Sequence, residues 1–417
     1  MLSRSRLTRA ALFATVAGAT VSLAACGGLA TQPGPVATLT EECGATITIG
    51  APLPLSGPFT DFGTNSLQGM QLAAEEINAA GGIASLGGAK LSIVPGDTSS
   101  ADPAQASTAT TKLIEDGAVA LVGAWSSAVT NSVSTVSEEA RVPILTQSWA
   151  DTLSARGYEY YFQPPPKSSE IGGAATDYMT NAAKSVGVSF NTVAGVGPND
   201  VANTQQITTA LDAFAAGGAT TAEPTFYAPG ITDASPIVNR LADQKADLIL
   251  LSGSPADASL IVKALRARGI NTPIMGFGGA FVVPSFADVM GDGVEGLFAV
   301  SAWNWDLPLD GVEASAKTYE TEHGEFMPME AGESWVDVYL LAQAMEDSAS
   351  CAPADITSAL RDIDATKGPA AAMPGGTVKF DADGTNPSAI PVLIQWQDGT
   401  PRTVWPKEYQ SAKPVFK

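Results

Sequence analysis

After a short N-terminal stretch, apolar segments of strand length alternate with longer amphipathic segments, and this alternation restricts the possible folds more than any other feature. The first apolar segment, residues 47–52, is rich in β-branched residues, and Leu67, Met70 and Ile77 then follow at helical spacing. Residues 248–251 are apolar without interruption, as a strand buried on both faces of a parallel sheet requires. Strands that alternate with helices in this way predict an α/β fold with parallel sheets and right-handed crossovers.

The alternation occurs in two successive sets, so the sequence predicts two sheets and hence two lobes. Asp102 is expected to cap one helix, with Pro103 at its first position. A long helix is predicted over residues 333–348. The predicted strands cover residues 47–52, 91–94, 118–122, 142–146, 192–196, 222–227, 247–252, 273–277, 376–380 and 391–396.

The N-terminal residues have the features of a targeting signal. Arg4, Arg6 and Arg9 precede an apolar stretch that is too short to span a membrane. The sequence Leu-Ala-Ala-Cys that ends at Cys26 resembles the lipobox of bacterial lipoproteins, in which the cysteine receives the lipid. The alternative is an ordinary signal peptide with an incidental cysteine.

We therefore expect residues 1–25 to be a cleaved signal peptide and residues 26–43, rich in Gly, Pro and Thr, to be a flexible tether. The mature protein is then extracytoplasmic and held at a membrane through its lipid alone. The formal net charge of −21 disfavours nucleic acid as a partner and favours a solvated, monomeric surface.

Two cysteines remain besides Cys26. In an oxidising compartment Cys43 and Cys351 form an even pair, and we expect a disulfide between them, the alternative being two free thiols. His323 is the only histidine and lies in a predicted helix, so neither a metal site nor a Ser-His-Asp triad is expected, and no cofactor is predicted. The acidic residues are dispersed, without the spacing of a calcium-binding loop, and the pairs Glu75-Glu76 and Glu138-Glu139 are interpreted as solvated helix faces.

Several short motifs occur in a characteristic order. They are residues 49–58 (IGAPLPLSGP), Gly69, Ala74, Ile77, Asn78, Gly81 and Gly82, then Asp97 and Asp102-Pro103, then Val122-Gly123 with Ser126-Ser127, and finally Phe380-Asp381, Gly384, Gln395-Trp396 and Asp398-Gly399. Together they resemble the leucine/isoleucine/valine-binding type of periplasmic binding protein, over nearly all of residues 47–406. The resemblance implies two flavodoxin-like lobes joined by three crossings, with lobe one formed by residues 44–164 and 300–389. Lobe two is then formed by residues 165–299 and 390–417.

The resemblance also implies candidate ligand contacts from lobe one. Ser127, with Ser126, matches the serine that holds a ligand carboxylate, the alternative being a plain helix cap. Phe62 and Trp125 match positions that wall the ligand, and Phe59 lies near Phe62 in the same loop. The alternative for these aromatic residues is packing at the surface or between lobes.

Further candidates follow other predicted strands. Ser148 and Trp149 stand where the family has a short Ala-Thr element, so the shape of the pocket should differ. Trp303 and Trp305 follow the strand near the second crossing, and for Trp305 packing is favoured.

From lobe two, Ala202 and Ser254 align with tyrosines of the family, and Gly278 aligns with the glutamate that pairs with the ligand ammonium. Without that carboxylate an ammonium group would be buried and unpaired. Asp200 or Asp257 could replace the glutamate, but an exposed loop acid is the simpler interpretation for each.

These observations predict a solute-binding lipoprotein, not an enzyme, that delivers its ligand to the permease of an ABC importer. The expected ligand is a branched-chain or hydrophobic amino acid, or a related carboxylate or amide, including an aromatic one. A carboxylate or amide without a charged amine is favoured because of Gly278. The alternative is a ligand-sensing module for a signalling partner.

Overall fold

In the computed structural model, which describes residues 43–277 and 279–416, the first five strands form one parallel sheet. The strands are β1 (Thr46–Leu53), β2 (Lys90–Asp97), β3 (Ala120–Val122), β4 (Ile144–Leu145) and β5 (Tyr161–Phe162). Their order across the sheet, β2-β1-β3-β4-β5, is the flavodoxin-like order, which changes direction between β1 and β3. Because all four pairings are parallel, the carboxyl ends of these strands lie along one edge.

A second, eight-stranded sheet follows with the order β15-β14-β11-β10-β9-β6-β7, and β8 also pairs with β6. The remaining strands of the chain are β6 (Thr192–Pro198), β7 (Thr220–Thr221), β8 (Thr225–Tyr227), β9 (Leu248–Ser252), β10 (Ile274–Phe277), β11 (Phe298–Ser301), β12 (Asp364–Ala365), β13 (Val378–Lys379), β14 (Val392–Gln397) and β15 (Thr400–Trp405). Every residue of β9 is buried, as its uninterrupted apolar sequence predicts. The prediction of two flavodoxin-like sheets is therefore confirmed.

The second sheet is parallel except at one edge, where β14 pairs antiparallel with both β11 and β15. The connection between β14 and β15 is the dipeptide Asp398-Gly399, and both residues have positive φ angles, of 53° and 78°. Such a two-residue turn joins antiparallel neighbours directly, so no helical crossover is needed. β12 and β13 form a separate antiparallel pair.

Twelve helices accompany these strands in the described part of the chain. They are α1 (Thr60–Ala79), α2 (Pro103–Glu115), α3 (Ser127–Ala140), α4 (Asp151–Ser154), α5 (Ser168–Ser185), α6 (Val201–Ala216), α7 (Ser235–Gln244), α8 (Pro255–Ala267), α9 (Pro284–Met290), α10 (Val312–His323), α11 (Met329–Ser348) and α12 (Pro353–Asp362). The predicted cap of α2 is confirmed, because the Asp102 carboxylate accepts hydrogen bonds from the amides of Ala104 and Gln105, at 2.9 and 3.1 Å. None of the described helices is long and apolar enough to cross a bilayer.

The chain leaves the second sheet after β11, and α11 then packs along α1 beside the first sheet. The chain re-enters the second sheet at β14. The lobe boundaries stay a prediction, with one adjustment: the boundary between residues 299 and 300 falls inside β11, which pairs entirely within the second sheet.

Two carboxylates that were interpreted as solvated are structural. Glu76 accepts hydrogen bonds from Trp335 Nε1, Tyr339 Oη and Ser315 Oγ at 2.8, 2.9 and 2.7 Å, which ties α1 to α10 and α11. Glu138 accepts bonds from the backbone amides of residues 159 and 160. The helical pattern shows only that these residues lie on the outer part of a helix, and the elements that cover them come from distant sequence.

Cys43 and Cys351 are joined by a disulfide, with their Cα atoms 5.8 Å apart. The bond connects the residue three positions before β1 to the segment that follows α11. It therefore holds the start of the described chain against the same helix that packs on α1.

The helices α1 and α11 approach each other so closely at Gly69 that the contact leaves no room for a side chain there. A Cβ atom at Gly69 would overlap the carbonyl oxygen of Ala331, whereas a Cβ at Gly173 in α5 would meet nothing within 4 Å. We expect Gly69→Ala to lower the free energy of unfolding by about 1–3 kcal/mol, because the two helices must move apart. Gly173→Ala should be neutral or stabilise by up to about 1 kcal/mol. Urea denaturation of both variants checks this, and equal stabilities would contradict it.

Candidate functional site

Three aromatic side chains meet at the carboxyl-terminal edge of the first sheet. The rings of Phe62 and Trp125 are stacked with centroids 4.0 Å apart, and Phe59 lies 5.3 Å from Trp125. Phe59 and Phe62 follow β1 and Trp125 follows β3, and these strands are neighbours where the strand order changes direction. Ligands of open α/β sheets bind at this kind of position. The structure thus brings together the three aromatic residues that the sequence predicted; their role in binding stays a prediction.

The second sheet contributes a glycine that touches this cluster. A Cβ atom at Gly279, which follows β10, would lie 2.8 Å from Phe62 Cε1, 3.1 Å from Trp125 Cζ2 and 2.6 Å from Glu330 Oε1. The backbone of this loop therefore packs directly on the aromatic rings, and a side chain at this position would force the surfaces apart. The aromatic cluster lies at the contact between the strand-end loops of the two sheets.

The predicted serines lie at the start of α3. Ser126 occupies the N-cap position, but its side chain makes no capping hydrogen bond. The hydroxyl of Ser127 accepts a long hydrogen bond, 3.4 Å, from the backbone amide of Ala150. The structure gives no support to the simple capping alternative for Ser126.

The two candidate residues after β4, Ser148 and Trp149, differ in whether their polar groups are already hydrogen-bonded. The Ser148 hydroxyl lies within 2.7 Å of the Ala124 carbonyl oxygen and 2.9 Å of that of Trp125, so it holds the loop after β3 in place. Ser148 is buried and its hydroxyl is already engaged. Trp149 is also buried, and its indole N–H lies beside the Glu333 carboxyl of α11 without a hydrogen bond of standard geometry.

Two of the three candidates predicted from lobe two lie at the starts of helices. Ala202 lies in the first turn of α6 and packs against the apolar cluster of the first sheet. Ser254 caps α8, where its hydroxyl accepts a bond from the amide of Asp257 at 3.2 Å. Gly278 lies outside the described residues.

Neither acid that could replace the family glutamate is free. Asp200 caps α6 by accepting a hydrogen bond from the amide of Asn203 at 3.0 Å. Asp257 is buried and accepts bonds from the amides of Gly230 and Ile231, both at 3.0 Å. Each carboxylate has a structural partner, so the interpretation of Asp257 as an exposed loop acid is wrong.

The two later tryptophans are packing residues. The Trp303 ring lies against Gly332, and its indole N–H donates to the carbonyl oxygen of Ala372 at 3.0 Å. Trp305 donates to the Pro401 carbonyl oxygen at 3.0 Å, in agreement with the packing role favoured for it. Neither indole N–H is left for a ligand.

Sequence reasoning missed three acidic residues on α11. Glu330, Glu333 and Asp337 are 0, 1 and 1% exposed. Both carboxyl oxygens of Glu330 and of Glu333, and Oδ1 of Asp337, have no hydrogen-bond partner. Their spacing of three and then four residues places them on one face of the helix. We call this set the acidic face of α11.

The acidic face borders the strand-end loops. Glu330 touches Gly279, and Asp337 accepts a hydrogen bond from Gln147 Nε2, in the loop after β4. The spacing was visible in the sequence, but the predicted helix began at residue 333 and so omitted the turn that carries Glu330. Nothing in the sequence shows that this face is covered, because the covering loops come from residues 147–149 and 279.

Comparison with known proteins now identifies the family. A family model described as "Periplasmic binding protein" matches residues 46–400. The chain belongs to the type 1 periplasmic binding proteins. The resemblance that the motifs indicated is therefore confirmed. This family binds its ligand without transforming it, and it acts outside the cytoplasm.

Individual relatives agree with this assignment. The "Leu/Ile/Val-binding protein homolog 8" of Brucella melitensis is 28% identical over 393 residues, which cover 89% of this chain and 94% of that protein. The branched-chain amino acid transporter substrate binding protein LivJ of Streptococcus pneumoniae, solved in complex with isoleucine, has a TM-score of 0.73 at 23% identity and covers 87% of this chain and 100% of its own. An ABC transporter solute binding protein of R. palustris, in complex with benzoate, has a TM-score of 0.74 at 21% identity, covering 88% and 99%.

Burial dominates the electrostatics of the acidic face in this periplasmic binding protein. Desolvation raises the pKa of Glu330 to about 8 and that of Asp337 to about 8. Desolvation also raises the pKa of Glu333 well above its ordinary value, and the charges of Glu330 and Asp337 add to the effect. The indole N–H of Trp149 acts in the opposite direction on the Glu333 pKa. In the folded protein all three carboxyls therefore favour the protonated form near neutral pH.

The raised pKa values predict how stability depends on pH. The ordinary values are 4.5 for Glu and 3.8 for Asp, so between about pH 5 and 8 the unfolded chain has released protons that Glu330 and Asp337 still hold in the folded protein. The free energy of unfolding should then fall as pH rises through this range, by up to about 1.4 kcal/mol per pH unit for each carboxyl, and level off above pH 8.

Urea denaturation of the unliganded protein at pH 5.5, 6.5 and 7.5 measures this slope. The double variant Glu330→Gln, Asp337→Asn should reduce it, with Glu333 still contributing, while the exposed control Asp347→Asn on the same helix should not change it. An unchanged slope in the double variant would show that the acidic face ionises normally.

Proposed function

We propose that this protein captures a small organic ligand between its two lobes, outside the cytoplasm, and delivers it to the permease of an ABC importer. The observation that carries the proposal is the meeting of strand-end loops from both sheets, where Gly279 packs on Phe62 and Trp125. In each sheet these loops follow the carboxyl ends of parallel strands, where ligands of such sheets bind. Binding sites for small molecules also occur preferentially at the interface between domains.

The aromatic cluster supports a ligand with an apolar part. Phe59 is partly exposed and stands beside the stacked pair of Phe62 and Trp125, so an apolar group could replace the Gly279 contact when the lobes separate. The related proteins solved with isoleucine and with benzoate each bind a small ligand that has an apolar part. We propose a hydrophobic amino acid or a related carboxylate or amide, including an aromatic one.

Capture then works by a shift in population. The open form admits the ligand, and the closed form buries it, so a ligand that contacts both lobes favours closure by its difference in affinity for the two forms. The closed form is the one that a permease can distinguish from the empty protein. Because the binding protein must stay near the permease, we also propose that Cys26 carries a lipid anchor, that residues 1–25 are removed and that the protein acts as a monomer.

A thermal-shift screen of amino acids, carboxylates and amides on the full-length protein tests the proposed function. A ligand present at 100 times its dissociation constant should raise the free energy of unfolding by about 2.7 kcal/mol. Turnover of the bound compound, followed by chromatography of the mixture, would contradict a pure binding role.

The Ser127→Ala variant tests whether the ligand carboxylate lies at the start of α3. If its hydroxyl donates to a ligand carboxylate, Ser127→Ala should raise the dissociation constant of a carboxylate ligand about tenfold or more, since hydrogen bonds to charged groups contribute about 1.5–3 kcal/mol. Ser132→Ala, further along the same helix, is the matched control and should leave affinity unchanged. Isothermal titration calorimetry gives both constants, and equal affinities would remove Ser127 from the site.

A further inference from the structure

The acidic face of α11 is unusual because three neighbouring carboxyl groups are buried and most of their oxygens lack hydrogen-bond partners. Five of the six carboxyl oxygens of Glu330, Glu333 and Asp337 lack a hydrogen-bond partner. Burying an unpaired polar group destabilises the folded protein, and burying an unpaired charge does so more strongly. The Gln147 Oε1 atom is buried without a partner as well, and the Trp149 indole N–H lies beside Glu333 without a hydrogen bond of standard geometry. The face is therefore a cluster of unused polar atoms, which a packed core does not normally contain.

The position of the face links it to the ligand cleft. Glu330 touches Gly279 of the second lobe at the point where Gly279 also meets Phe62 and Trp125. Asp337 accepts a hydrogen bond from Gln147, which follows β4. The carboxyls thus lie next to the same strand-end loops that form the proposed ligand site.

No side chain of the described residues neutralises this cluster. None of the ion pairs in that part of the chain includes Glu330, Glu333 or Asp337. The charged groups that act on them are other acids: Asp61 of α1 acts on Glu330, and the members of the face act on one another. The group that would satisfy the face is a positive charge with several N–H donors.

We propose that the ligand of this protein carries at least one protonated amino group and that the acidic face of α11 holds it. An ammonium group has three N–H donors and no acceptor, which suits a set of carboxyl oxygens without partners. No three acidic, His or Cys side chains among the described residues are arranged to hold a metal ion, so an organic cation is the occupant proposed. The inference rests on the proposed function, since it assumes that the cleft receives the ligand.

This assignment reverses an expectation from the sequence. Gly278 suggested that the ligand lacks a charged amine, because the family glutamate of lobe two is missing. The acidic face supplies carboxyl groups from lobe one instead. Residues 330 and 337 are about 10 Å apart along the helix axis at 1.5 Å per residue, so the face could also bind two amino groups of one ligand.

Proton release is the distinctive sign of this site. Burial raises the pKa of Glu330 and of Asp337 to about 8, so both carboxyls hold protons at pH 6–7 in this arrangement of the protein. An ammonium ion favours their ionised form, so binding should release protons, and affinity should increase as pH rises toward 8. Each proton released corresponds to about a tenfold gain in affinity per pH unit. The ligand amine remains protonated throughout, since such groups have pKa values near 10.

The experiment is calorimetric titration of the full-length protein with n-butylamine, 1,4-diaminobutane and L-isoleucine, and with butyrate and benzoate as probes without an amine. Each titration is run at pH 6, 7 and 8 in two buffers of different ionisation enthalpy, which reports the protons released. We expect at least one amine to bind with proton release, and to bind more tightly at pH 8.

Glu330→Gln, Glu333→Gln and Asp337→Asn should each weaken the binding of that amine about tenfold or more, as loss of a charge-assisted bond predicts. The control Asp347→Asn, on the exposed side of α11, should not change it. Because the amide variants remove a buried ionisable group, their melting temperatures at pH 8 should be equal or higher, which separates lost binding from lost folding.

The outcomes distinguish the two proposals. If butyrate or benzoate binds while no amine does, or if amine affinity is unaffected by the three amide variants, the proposed function stands and the ammonium site is overturned. If an amine binds with proton release and the variants weaken it, both proposals are supported. If none of the five probes binds at any pH, the result counts against both.

Discussion

The close packing of α1 against α11 is the contact on which the arrangement of this protein depends. It brings a helix from the last third of the chain, separated from α1 by strands β2 to β11, back to the first sheet. The contact is possible because residue 69 is a glycine and the Ala331 carbonyl occupies the space of a side chain. Glu76 strengthens it by accepting bonds from Trp335 and Tyr339. The N-terminal turns of α11 then lie beside the strand-end loops of the first sheet.

That placement has an energetic consequence. Three carboxyl groups are buried where no lysine or arginine of the described residues pairs with them, and desolvation opposes their ionisation. A sequence selected only for stability would hold apolar residues at these positions. In a binding protein this arrangement favours closure of the lobes with a bound cation over closure without one, because the cation pairs with the buried carboxyls. The same residues therefore link pH, stability and ligand capture.

Prediction from sequence succeeded where the interacting residues are close in sequence and failed where they are distant. The helix cap at Asp102 and the buried strand β9 were predicted correctly, because both depend on neighbouring residues. The roles of Glu76 and Asp257 were not, because their partners are distant in sequence or belong to a loop whose path is not visible in a linear pattern. Ser148 shows the same limit: its hydroxyl is engaged by carbonyl oxygens from the loop after β3.

By itself the sequence determined the α/β class, the two sets of alternating strands and helices, the family, and the three aromatic residues that meet at the strand ends of the first sheet. These follow from periodicity and from motifs, which are local properties of the chain. Only the tertiary structure decided that Asp200 and Asp257 are occupied and that Glu330, Glu333 and Asp337 are covered and unpartnered. Burial and the absence of a counter-charge depend on which loops pack over a helix face, and here the covering residues, 147, 149 and 279, are distant in sequence from α11.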